Sequence, residues 1–546
     1  MAMAWRMPRA LLPEPLRSPS QRRLGFPCAA SAEGSRWVHF VGIGGTGLSP
    51  LALLALKQVC LLFLVVVTGI VAIPMQGWKV SGSDATWSNK LRSLEEAGAI
   101  VHAGHDERWL RDSGIFPDAV VVSSAIPAEN EEVVAARRRG LRVIKRTEWL
   151  GEITEDYELI AVAGTHGKST TTAMLAVVLQ SFSDDITAIV GADVPQLAGG
   201  NMAYGKGGRF VLEADEYDGC FLGVSPSLAI VTSVEWEHVD MFPDEASVRE
   251  MFKHFISRIK PDGCLIICGD SAGTRSLITS LEQYSKQASR KLTYGLHEQN
   301  DWRAIMLVPN ILGGTDYVAV YRNRPMARVS LKLPGTYNVL NSLAVLAAVS
   351  LLAFKGKGSC DESGQLKAMA VAAQAASSAL QSFQGLRRRF EYVGTVRRCD
   401  IYDDYAHHPT EVRAVLQAAR QRFDKQPIWV VFQPHTHSRI AKLLQDFAPA
   451  FSGANRVIVT EIFSARENNV WKLSGADLVS VITGPPAMFI PTLDEVIERL
   501  SWELTALEEN EVNKGGNIVL LTLGAGDVTI VGPKLLDALA SSRERD

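Results

Sequence analysis

At 546 residues, with 47% hydrophobic and 21% charged side chains, the chain has length and apolar content for about three globular domains. Its 56 lysines and arginines against 59 acids leave a net charge of −3, which removes any electrostatic case for general nucleic-acid binding. Seven scattered cysteines without a CxxC pair argue against a disulfide scaffold, and Cys264 and Cys268, beside an apolar run, read as buried free thiols.

Residues 1–34 read as a targeting leader. Arg6, Arg9, Arg17, Arg22 and Arg23 alternate with Ser and Pro, Glu14 is the only acid before Glu33, and no uninterrupted apolar h-region is present. That is the composition of an organelle transit peptide; a plastid is the expected destination, with mitochondrion or cytoplasm as alternatives.

A first domain is expected over 35–155. The strand-like run WVHFV (37–41) leads into GIGGTG, whose Gly44, Gly45 and Gly47 would admit a pyrophosphate at a helix start. The acid expected about 20 positions later, after a second strand, is Asp84 of SGSD. It lies 37 positions past Gly47, and the excess is the 18-residue apolar block 59–76, without which 19 positions remain. A valine codon begins with GT and a glutamine codon can end in AG, so Val59 and Gln76 give the block the form of a retained intron read in frame. The competing reading is a membrane span, for which the apolar core 59–73 is short of the roughly 20 residues a bilayer needs. Runs 118–124 and 142–144 read as further strands, and the alternation of strands with helices predicts a parallel sheet.

The second domain, 156–384, opens with the strand pattern 159–163 and Gly164-Thr165-His166-Gly167-Lys168-Ser169-Thr170 before a helix. Glycines let backbone amides approach an anion, Lys168 can reach terminal phosphates and the Ser169 hydroxyl can ligate Mg²⁺. Val162 stands where a full GxxxxGK[ST] pattern has its first glycine. Two further strand runs end in EADEYD and in EWEHVD, which places Glu216 and His238 where open α/β sheets bind ligands. Asn338 and Asn341, three apart at the start of an alanine-rich helix, either hold a nucleotide base or cap that helix. The third domain, 385–546, carries GLRRRFE, then a strand ending in DDYAHHPTE, and a strand running into QPHTHSR. Histidines and an arginine at successive strand ends indicate a second half of the site.

In order, GIGGTG, SGSD, GTHGKSTTT, EADEYD, EHVD, GTYNVLNSLA, GLRRRFE, DDYAHHPTE and QPHTHSR resemble the motifs of the Mur ligases over about residues 37–527. The resemblance implies an α/β fold of three domains: a Rossmann-like UDP-binding domain, a central P-loop ATPase domain and a C-terminal Rossmann-like domain. It implies ATP and Mg²⁺ as cofactors, and UDP-N-acetylmuramate and L-alanine as partners joined through an acyl phosphate. Carried over by motif, Lys168, Glu216, His407 and Arg439 would be catalytic, and Ser169, Glu216 and His238 would hold metal. The 164–170 loop, Asn338, Arg389 and Asp403 would bind nucleotide; Gly44, Gly45, Gly47 and Asp84 the UDP-sugar; and Tyr405, His407 and Arg439 the amino acid. Thr436 and His437 stand where relatives often have Arg or an aromatic, and Ala406 replaces a frequent glycine. The alternatives are a related amide ligase, such as one recycling murein tripeptide, or a nucleotide-binding relative that has lost catalysis.

Overall fold

The structure, a computed structural model, describes residues 36–45, 47–58, 60–66, 69–75, 78–284, 288–355, 362–465, 467–509 and 517–543. The leader read over 1–34 lies outside them. Three sheets follow one another along the chain.

The first has five parallel strands in the order Ile100–Ala103, Lys79–Asp84, Trp37–Val41, Ala119–Val122, Val143–Lys145. Winding reverses between Trp37–Val41 and Ala119–Val122, so the glycine loop after Val41 sits at the switch point, where open sheets of this kind take their ligands. The two strands flanking that switch, Trp37–Val41 and Ala119–Val122, are nearly continuous apolar runs because both faces are covered, the expectation for a parallel sheet.

The second sheet has ten strands, with Glu158–Ala163 between Arg209–Glu213 and Leu228–Val231, both parallel to it. One edge continues as an antiparallel meander, Trp302–Pro309, Thr315–Tyr321 and Arg324–Ser330, which the sequence reading did not anticipate. Its last turn is the two-residue Arg322-Asn323, both at positive φ (45° and 65°), the conformation that matches strand twist in tight hairpins. Helices Lys168–Ser181, Thr336–Lys355 and Glu362–Gln381 pack together on one face in a core of Leu, Val and Ala. Of the described helices only Thr336–Ala353 is long and apolar enough to cross a bilayer, and 83% of it is buried in this core.

The third sheet has six strands, of which Glu391–Val396 is the antiparallel edge and Cys399–Asp404, Ile518–Leu523, Ile428–Phe432, Arg456–Val459 and Ala487–Phe489 are parallel. The first and second sheets share a hydrophobic cluster in which Trp149, on helix Arg146–Thr154, packs edge-on against Phe40 and Trp78. Gly151 on that helix admits close approach of the second domain: a Cβ there would lie 2.4 Å from the Gly223 carbonyl oxygen.

The apolar block forms strands Cys60–Val66 and Gly69–Met75, paired antiparallel in a sheet of their own rather than as a spanning helix. Its two flanks meet at one helix end. Gln58 N donates to Leu54 O (3.0 Å) and Trp78 N to Ala55 O (3.3 Å), so the block leaves and rejoins the domain on the last turn of helix Ser49–Lys57.

Candidate active site

The strand Glu158–Ala163 delivers the chain into Gly164, whose φ of +137° and packing against Thr232 leave no room for a side chain. The loop is pinned to the neighbouring strand end. Thr165 N donates to Ser233 O (2.9 Å), His166 N to Ser233 Oγ (2.9 Å), and Glu235 N to Thr165 Oγ1 (2.9 Å). Gly167, at φ +85°, opens helix Lys168–Ser181 without a side-chain cap, which leaves its first amides for an anion.

Lys168 Nζ lies 2.8 and 3.1 Å from the two carboxylate oxygens of Glu216 and 3.7 Å from Asp215. Burial would lower the Lys168 pKa, but the charges of Glu216, Asp215 and Glu213 outweigh it and hold the ammonium above its usual range. Burial likewise works against Glu216, yet Lys168 and His238 bring that carboxyl down to about 2. His238, at positive φ (52°), places Nε2 3.6 Å from Glu216 and is raised by that carboxylate against the effect of burial. Donor atoms of Asp215, Glu216 and His238 lie within 4.8 Å of one another, an oxygen-rich set suited to a hard divalent cation. Ser169 donates to Glu213 (2.9 Å), a carboxyl that burial pushes up. Asp215 was not anticipated from sequence.

The C-terminal sheet closes over this centre. Arg439 pairs with Glu237, the residue before His238, and donates through Nη1 to the His435 carbonyl (3.0 Å). Lys442 donates to Val239 O (2.7 Å), Thr410 to Glu235 (3.0 Å), and His166 of the phosphate loop meets Glu411 (3.2 Å). His407 and His435 face each other at 5.6 Å between ring centroids; burial takes them down to about 4 and about 3, so both rings are neutral at neutral pH. The Tyr405 ring lies 5.0 and 5.3 Å from the guanidiniums of Arg388 and Arg389. Thr436 caps helix His437–Phe447 at a positive φ of 63°.

The His166, Glu237 and His408 side chains also converge within 4.8 Å. His408 Nδ1 accepts from Thr410 N, however, so its Nε2 carries the proton and is a donor aimed at Glu237 rather than a metal ligand.

Other expected residues are held within their own domains. Asn338 is buried and donates to Pro334 O (2.7 Å), while its oxygen accepts from Asn341. Asp403 accepts from Thr522 (2.6 Å), Thr529 (2.8 Å) and Arg388 (3.2 Å). Arg389 reaches across to Glu411 at 3.6 Å. In the first domain Gly44 N donates to Asp84 (2.9 Å), which folds the glycine loop onto the second strand, and Gly45 turns back to Gly42. Over Gly47 lies the Arg146 guanidinium, whose Nη1 would be 1.7 Å from a Cβ at that position. Arg146 opens the helix after the last strand of this sheet, so nothing in GIGGTG itself reveals it.

Family models described as Mur ligase family, catalytic domain, Mur ligase middle domain, and Mur ligase, glutamate ligase domain match residues 67–158, 162–349 and 388–524. The chain is similar to the UDP-N-acetylmuramate–L-alanine ligase of Frankia casuarinae, 41% identical over 92% of this chain and 98% of that protein. Among solved structures it is similar to the UDP-N-acetylmuramate–alanine ligase of Thermotoga maritima, at 26% identity and a TM-score of 0.68 over 92% of this chain and 99% of that one. A murein peptide ligase of Psychrobacter arcticus shares the fold at 22% identity and a TM-score of 0.60, over 92% of this chain and 99% of that chain.

Proposed function

The chain belongs to the Mur ligase family, and from that premise we propose that it joins L-alanine to the lactyl carboxylate of UDP-N-acetylmuramate, with ATP cleaved to ADP and phosphate. One observation carries the reading: two domains meet with the phosphate-loop Lys168 and the Glu216–His238 pair on one side, and His407 and Arg439 on the other.

A carboxylate is a poor acyl donor until one oxygen is phosphorylated. Lys168, within 2.8 Å of Glu216, exchanges that partner for the terminal phosphate and offsets the charge that spreads over its oxygens during transfer. Asp215, Glu216 and His238 would hold Mg²⁺, which supplies further neutralisation there. The acyl phosphate that forms is attacked by the alanine nitrogen; the tetrahedral carbon then expels phosphate and leaves the amide. Tyr405, His407 and Arg439 orient the amino acid, and because Arg439 is anchored through Glu237 beside His238, orientation is coupled to the phosphate centre. Gly44, Gly45, Gly47 and Asp84 frame the UDP-sugar, with Arg146 placed to meet its diphosphate. The leader 1–34 would direct the chain to a plastid, which a fluorescent fusion of that segment tests.

The deciding experiment offers ATP, UDP-N-acetylmuramate and one amino acid at a time. Alanine-dependent phosphate release is expected; release with a murein tripeptide and none with alanine would replace this reading by the recycling ligase.

A further inference from the structure

Glu411 stands at N3 of helix Pro409–Arg422, where it completes a capping box with His408. A cap needs only one carboxylate oxygen. Here Oε2 takes the cap, accepting from His407 N (3.1 Å) and His408 N (3.3 Å), and it also lies 3.2 Å from His407 Nδ1. Oε1 crosses the domain boundary to His166 Nδ1 (3.2 Å) on the phosphate loop. The side chain is about nine-tenths buried, with 12% exposed, and Arg389 adds a cation 3.6 Å from Oε1.

The His407 ring is fixed by these contacts. Nδ1 faces two groups that can only accept, the Tyr405 carbonyl (2.9 Å) and the Glu411 carboxylate, so Nδ1 carries the hydrogen. A neutral ring then has its lone pair on Nε2, which has no hydrogen-bond partner among the described residues. His166 is the reverse case. Burial opposes its charge, but Glu235 and Glu411 raise it to about 10, so it is a cation that holds Glu411 ionised.

We propose that Glu411 is a positioning residue that links the phosphate loop to the amine site: His166 orders Glu411, and Glu411 holds His407 with Nε2 presented as the acceptor for the incoming amine N–H. This rests on the ligase reading above. The consequence is coupling without direct contact, because a loop displaced from Glu411 leaves His407 free to turn or change tautomer.

The test uses the full chain and Glu411→Gln, a residue that also suits a capping box. Loss of a charged hydrogen-bond acceptor is expected to raise the alanine KM about tenfold to a hundredfold. His166→Gln should do the same, and the double variant should lose little beyond either single one, because the three residues act as one chain. An unchanged alanine KM in Glu411→Gln, or losses that multiply independently, overturns the proposal. Should a variant fail to fold, ¹⁵N chemical shifts of the histidine rings in the unaltered protein decide: a His407 protonated at Nε2 contradicts it, and one protonated at Nδ1 supports it. That second measurement stands even if no alanine-dependent phosphate release is found, which would be a failure of the function and not of this linkage.

Discussion

Lys168 and Glu216 form a buried ion pair at 2.8 Å, with 12% and 2% of their side chains exposed. At an effective dielectric constant near 20, two unit charges at that separation attract by about 6 kcal/mol. Much of that offsets desolvation, so the net worth of the pair is small. Removing one partner is different, because the Glu216 charge stays buried with only His238, 3.6 Å away, to offset it; the usual loss is about 3–5 kcal/mol. Lys168→Met should therefore lower the thermal midpoint of the central domain by on the order of 10 °C. Adding Glu216→Gln, which removes the stranded charge, should recover most of that stability while phosphate release stays abolished. Differential scanning calorimetry paired with a phosphate-release assay separates the two effects. A Lys168→Met protein as stable as the parent, or a double variant no more stable than the single one, would refute the reasoning.

Excision of 59–76 should leave the first domain folded and at least as stable. It would place Gly77 directly after Gln58, and the Trp78 N to Ala55 O bond already present is the outer bond of a glycine-terminated helix end; a loss of the calorimetric transition would contradict this. Asp404, raised to about 6 by burial, binds its proton more tightly folded than unfolded, so its contribution to stability grows as pH falls from about 6 towards 4. Denaturant titrations of Asp404→Asn should lack that gain, and the variant should lose about 1–3 kcal/mol at neutral pH, because one of the two amides at Phe390 and Ala406 loses its acceptor. His166 has the opposite sign of dependence: its contribution is complete below its ordinary value of 6.5 and is lost as pH rises through about 10, so His166→Gln should flatten stability between pH 7 and 10. Arg146→Ala should raise the KM for UDP-N-acetylmuramate about tenfold or more and leave that for ATP unchanged, as loss of one charge-assisted contact requires.

Phosphate-loop, glycine-loop and strand-end residues are local matters, and the sequence exposes them: a glycine at positive φ, an uncapped helix start and a buried strand each leave a pattern within ten residues. Glu216 and His238 were legible for that reason, since both lie within seven residues of the end of a largely apolar strand. Glu237 and Glu411 were not. Their partners Arg439 and His166 lie 202 and 245 positions away, and only domain closure brings them together. Asp403 shows the converse. It sits in a motif that invites a ligand role, and the structure adds that it accepts from Thr522 and Thr529, which no local pattern links to it. The antiparallel strands at 302–330 are interrupted by register shifts at Ile305/Val308 and Ala319/Val320, which blur any alternation, and their Arg-Asn turn lacks the glycine that usually announces a hairpin.

The central claim is that one oxygen of the sugar-borne carboxylate is phosphorylated before the amine attacks its carbon. UDP-N-acetylmuramate labelled with ¹⁸O in its lactyl carboxylate, turned over with ATP and alanine, tests this directly. The account predicts that each released phosphate drawn from labelled substrate carries one ¹⁸O; unlabelled phosphate accompanying amide formation would contradict it.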